Sequence, residues 1–196
     1  MTIVDDEPRM ELGASALPPD AEAVEAAPST EPLMPDLVEV HVPRGGRAVV
    51  VSDLHLTAKL SEASRGCTEE LIKVLQSWDG PGVLVIAGDG FEQLHAPVAP
   101  IEEILDAHRE WAAAVKAFAS GKGHQVVVLP GNHDGNIAWD PHLVEVLRDR
   151  LGASTFALSV DLVLDTGTGV QRVRVVHGNQ DEIGRASCRE RVSFLV

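Results

Sequence analysis

Five side chains able to hold a cation stand just beyond short apolar runs. Asp53 and His55 follow AVVV, Asp89 follows VLVIA, Asn132 follows VVVL, and His177 follows VRVV. Four such runs, each bounded by turn residues, read as strands buried on one or both faces. In open α/β sheets ligands gather beyond the carboxyl ends of strands, so the five donors are expected to converge on one site. Asp53 and His55 are two residues apart and would share a face of an extended strand end. A carboxylate such as Asp89 has lone pairs enough to bridge two cations. Mixed carboxylate, amide and imidazole donors without thiolate favour Mn²⁺, Fe, Zn²⁺ or Ni²⁺ over a structural zinc centre. The stretch VVVLPGNHDGN adds His133 and Asp134 to the same loop as Asn132.

The elements that must carry these residues follow the chain. LVEVHV alternates, PRGGR turns and RAVVVSDL runs apolar, which predicts a hairpin. Thr68 is the expected N-cap of a helix carrying Leu71, Ile72, Val74, Leu75 and Trp78, stopped by DGPG. After VLVIAGD, Pro100 opens one helix whose stripe runs from Ile101 through His108 and Trp111 to Phe118. VVVLP follows, then a helix from about Pro141 to Leu151. Thr155–Asp165 and Val170–Val176 read as strands around the turn TGTG. Strands alternating with helices, closed by a late hairpin, predict an α/β sandwich.

A chain of 196 residues supports one sizeable core. No apolar run is long enough to span a membrane. The first residues, MTIVDDEPRM, carry acids where a secretory signal carries bases, and the two cysteines make no disulfide framework, so the expected compartment is the cytoplasm. A net charge of −14 argues against nucleic acid as a partner. Residues 1–36 hold nine acids against one base, are rich in Ala and Pro, and are expected to be a disordered acidic tail. The domain is then expected over 37–181. Residues 183–192, IGRASCRERV, resemble a common sequencing adapter read in one frame, so 182–196 is expected to be a non-native tail.

SDLH, GDGFE, GNHD and VVHGN, in that order over Val49–Asn179, resemble the sequence blocks of the calcineurin-like metallophosphoesterases. The resemblance implies a sandwich of two β-sheets flanked by helices, here lacking its C-terminal part. It also implies two divalent metal ions, Mn²⁺ foremost, and a phosphate-ester substrate. Asp53 and His55 would bind the first metal, Asp89 would bridge, and Asn132 and His177 would bind the second. His133 would stand by the phosphate as proton donor, Asp134 would orient its ring, and a metal-bridging hydroxide would attack phosphorus in line. Relatives close the site with a later Gly-His-X-His block, and none follows His177.

The expected reaction is hydrolysis of a phosphomonoester, phosphodiester or pyrophosphate. The competing readings are a non-catalytic metal-binding scaffold of the same fold, a UDP-diacylglucosamine pyrophosphatase-like enzyme, and a nuclease. The UDP-diacylglucosamine branch tends to carry Arg where this chain has His133. Among the other histidines, His41 reads as a surface residue and His108 as core or boundary. His95, after GDGFE, sits at the mouth of the site. Glu92 either braces that loop or is exposed.

Overall fold

Parallel strands buried on both faces need continuous apolar sequence, and GVLVIA and HQVVVL supply it. A computed structural model of the chain describes residues 31–178. Strands β1 (Val38–Val42) and β2 (Arg47–Val51) precede helix α1 (Glu62–Gln76) and β3 (Gly82–Ala87). Helices α2 (Ile101–Ala107) and α3 (Arg109–Ala119) lead to β4 (His124–Leu129) and α4 (Pro141–Leu151). Strands β5 (Thr155–Phe156), β6 (Ser159–Asp165) and β7 (Val170–Val176) follow. β2, β3, β4 and β5 form a parallel sheet in that order, and β1, β6 and β7 form a second, with β6 and β7 an antiparallel hairpin.

The pleat of the four-stranded sheet divides the core in two. Leu84, Ile86, Val126 and Val128 face the helices, where they meet Leu71, Ile104, Trp111, Val115 and Leu147. Val83, Val85, Ala87, Val127 and Leu129 face the other way, against Val40, Val42, Val160, Leu162 and Val175 of the second sheet. Helix residues enter only the first of these cores among the described residues, so the α/β sandwich is flanked by helices on the four-stranded side. On the far face of the second sheet, Arg174 holds Asp161 through two hydrogen bonds, at 2.6 and 2.9 Å, and Arg172 pairs with Glu39.

Several local expectations are corrected. β1 and β2 do not form a hairpin: β1 pairs with β6 and β2 with β3, both in parallel. VEVHV buries one face only and suits the second sheet. RAVVV sends Val49 and Val51 to one core and Ala48 and Val50 to the other, and suits a place beside β3. Helix α1 begins six residues before Thr68. Ser61 is its N-cap, its hydroxyl accepting from the Ser64 amide while the Ser64 hydroxyl accepts from the Ser61 amide. The first turns lack apolar periodicity, which hid them. The long Pro100–Phe118 stripe is two helices that break at His108, whose Nε2 reaches the Thr57 carbonyl at 3.2 Å.

Residues just before 37 also pack on the fold. Met34 is buried in the helix-side core, Leu33 donates its amide to Ala138, and Pro35 and Asp36 accept from Leu158 and Ser159. The remainder of the expected tail, 1–30, and the expected non-native segment, 182–196, lie outside the described residues.

Candidate metal centre

Past the ends of β2 and β3 the two chains keep running side by side. Asp53 donates its amide to the Gly88 carbonyl at 3.1 Å, His55 to Asp89 at 2.9 Å and Leu56 to Gly90 at 3.0 Å. The register is held at a cost, since Asp53, His55 and Asp89 have φ of 55°, 42° and 51°. Left-handed backbone at non-glycine residues costs about 1–3 kcal/mol each and persists only where the surroundings impose it. Among the described residues these are the non-glycine positions with positive φ, and all three carry candidate ligands. Two glycines make room for the rest. A Cβ on Gly88 would lie 2.4 Å from the His177 ring, and one on Gly131 would lie 2.2 Å from Asp89 Oδ1.

Asp89 is the hub. Its Oδ1 accepts the His133 amide at 2.8 Å, its Oδ2 lies 3.3 Å from His177 Nε2 and 3.9 Å from His55 Nε2. His177 comes from the end of β7, in the other sheet, and its Nδ1 donates to the Ala87 carbonyl at 3.0 Å. Its Nε2 is also 3.2 Å from the Asn132 amide oxygen. The five expected donors therefore lie together beyond the carboxyl ends of β2, β3, β4 and β7, drawn from both sheets. The hydrogen bond to Asp89 raises the His177 pKa to about 9, against its burial. Burial pushes the Asp89 carboxyl upward, but His177 and the His133 amide more than offset it and hold the group below the ordinary carboxylate range.

The donors divide differently from the expected pairing. Asp53, Asp89 and His177 form one group of three whose ligand atoms lie within 4.8 Å of one another, and His55, Asp89 and His133 form another. Asp53 and His55 fall in different groups, and the left-handed backbone at each departs from the two-residue alternation of an extended chain. Asp89 belongs to both groups, which is the arrangement a shared carboxylate between two cations requires. His177 is held through Nδ1 by a backbone carbonyl, the usual support of a metal-binding imidazole. The donor set thus fits a pair of divalent cations: oxygen and nitrogen, without sulfur.

Asp134 does not orient the His133 ring. Its side chain is buried, Oδ1 accepting the amides of Gly131 (2.7 Å) and Asp89 (3.1 Å), Oδ2 those of Gly90 (2.8 Å) and Phe91 (3.2 Å). Burial raises its pKa, while the Gly131 and Phe91 amides pull it back. It staples the loop after β4 to the loop after β3. The ring partner of His133 is Glu92, whose Oε2 accepts Nδ1–H at 2.8 Å. Glu92 also takes the amides of Leu94 and His95 and stands 3.5 Å from His55 Nδ1. Burial pushes the Glu92 carboxyl upward, yet these donors bring it down to about 2. Its position three residues after Asp89 is the sequence signal by which it could have been placed at the site.

His108 is buried, as a core or boundary residue, and takes no part in the site. His41 is exposed. No helix among the described residues is long and apolar enough to cross a membrane. In comparisons with known proteins, the family model for the calcineurin-like phosphoesterases matches residues 46–193. Among curated proteins no match was found.

Proposed function

The chain belongs to the calcineurin-like phosphoesterase family, and on that premise we propose that it hydrolyses a phosphomonoester, phosphodiester or pyrophosphate with two divalent cations, Mn²⁺ foremost. The observation that carries the reading is Asp89, common to two three-donor groups at the end of the sandwich. Asp53, Asp89, His177 and the Asn132 amide oxygen would serve one cation, and Asp89 with His55 the other. Bound there, the cations would supply Lewis acidity and water activated for attack in line on phosphorus.

The chain's own groups do the rest. Glu92, an acceptor only, fixes the His133 proton on Nδ1 and leaves Nε2 to face a leaving oxygen. His133 then donates a proton from Nε2 to the leaving oxygen, with its ring held in place by Glu92. Asp134 keeps the two loops at the spacing this transfer needs. His95, with its ring centroid 5.0 Å from that of His133, stands beside the same ring. The proposed compartment is the cytoplasm, on the chain's two cysteines and the absence of a disulfide framework among them.

The test is Mn²⁺-dependent release of nitrophenolate from mono- and bis-nitrophenyl phosphate by the full chain. Turnover that Asp89→Asn abolishes supports the reading. Turnover indifferent to chelator and to Asp89 would refute it.

A further inference from the structure

Beside the group of donors around Asp89 stands a second carboxylate with its own ring of nitrogens. Glu92 Oε2 meets His133 Nδ1 at 2.8 Å, and Glu92 Oε1 meets His95 Nδ1 at 3.2 Å. One nitrogen from each imidazole and one Glu92 oxygen lie within 4.8 Å of one another. Asp53, Asp89 and His177 have no place in this group. Its geometry is fixed from the backbone, since Glu92 Oε1 also accepts the amides of Leu94 at 3.1 Å and His95 at 3.0 Å. The two rings sit 5.0 Å apart at 45°. The His95 side chain is 72% exposed, so the group opens directly to solvent.

We infer that Glu92, His95 and His133 form a further divalent-cation site, which shares His133 with the His55 group of the Asp89 centre but takes none of Asp53, Asp89 or His177, and is suited to Zn²⁺. Two imidazole nitrogens and one carboxylate oxygen, with the remaining positions open to water, are a donor set that zinc accepts. An ion there takes the Nδ1 lone pairs that now carry the protons shared with Glu92. Each ring loses its Nδ1 proton to water and carries one on Nε2 instead, so both imidazoles stay neutral. The consequence for turnover rests on the role proposed above for His133. A ring ligated through Nδ1 cannot carry a second proton, and zinc in excess would therefore silence the proton donor.

The experiment uses the full chain, stripped with chelator and dialysed against rising free Zn²⁺, with bound zinc counted by elemental mass spectrometry. The native chain is expected to reach a plateau one ion higher than His95→Ala and His95→Gln. Both substitutions fall on an exposed side chain and should leave the melting temperature of the metal-free protein unchanged. Equal plateaus would overturn the inference, and so would loss of more than one ion, which would make His95 a support of the Asp89 centre. Asp53→Asn separates the two sites. It should lower zinc binding at the Asp89 centre and retain the ion that His95 controls, whereas loss of that ion as well would merge the two sites into one.

Discussion

At the scale of single residues, His133 and Asp134 are neighbours with unrelated work. His133→Ala would remove the proposed proton donor, an effect typically about 10²–10⁴-fold in rate. In the proposed site His133 holds no cation, so manganese content should remain near that of the parent protein. Elemental analysis beside a turnover assay checks this, and parallel loss of both would make His133 principally a ligand. Asp134→Asn presents an NH₂ group to amides that now find a carboxylate oxygen. Buried N–H groups left without acceptors cost about 1–3 kcal/mol each. The variant is expected to lose about 3 kcal/mol or more in urea unfolding, with activity falling along with the fold. A variant of normal stability and low turnover would return Asp134 to the role of ring partner.

At the scale of elements, the start of α1 and the break between α2 and α3 shape the helical layer. Ser61→Ala removes the cap of α1 and should cost about 1 kcal/mol, with faster amide exchange in the first turn. His108 closes α2 and opens α3 while its Nε2–H holds the Thr57 carbonyl, two residues beyond His55. Burial lowers its pKa from the ordinary 6.5. The unfolded chain therefore binds the proton more readily than the folded one. Its contribution to stability is complete above pH 6.5 and is lost as pH falls through 6.5 toward the folded value. Arg65, Glu69, Arg109 and Glu110 line the same cavity and contribute charge around it. His108→Gln keeps a donor for Thr57 without the titration. The decline of melting temperature between about pH 6.5 and 5 should be shallower in that variant. An unchanged slope would assign the decline to other groups.

At the scale of the molecule, the residues before β1 and the metal centre both tie distant parts together. Met34 is 7% exposed and lies in the helix-side core, whereas Leu33 is 55% exposed. Met34→Ala is expected to cost about 2–5 kcal/mol and Leu33→Ala close to nothing, as read by urea denaturation. The proposed centre draws its candidate ligands from both sheets, so cations bound there would brace the sandwich. At a hundred times its dissociation constant, one bound ion adds about 2.7 kcal/mol to the unfolding free energy. Manganese should therefore raise the melting temperature by about 5–10 °C, and chelator should reverse it. A melting temperature insensitive to Mn²⁺ would mean the sheets are joined without it.

The sequence by itself determined the central strands, the late hairpin, the α4 boundaries and the ligand-type residues that end the strands, whereas Thr155–Asp165, expected as one strand, is divided between the two sheets as β5 and β6. These are local matters: burial on both faces demands unbroken apolar runs, and Pro141 and Gly152 mark helix ends wherever they occur. The sandwich itself was also legible, from the order of the elements and from blocks held in a fixed sequence. Strand partners were not. VEVHV and RAVVV are joined by a tight turn, yet each finds a better-matched parallel neighbour in a different sheet. The roles within GNHD and GDGFE were decided only by the fold. Left-handed turns at Asp53, His55 and Asp89 re-aim side chains that an extended chain would have paired. Asp134, next to His133 in sequence, turns inward to four amides from two loops, and Glu92, far from it in sequence, arrives against the His133 ring. Adjacency along the chain fixes the distance between Cα atoms. Which way each side chain faces is settled by buried donors that must find acceptors, and those come from wherever the fold brings them.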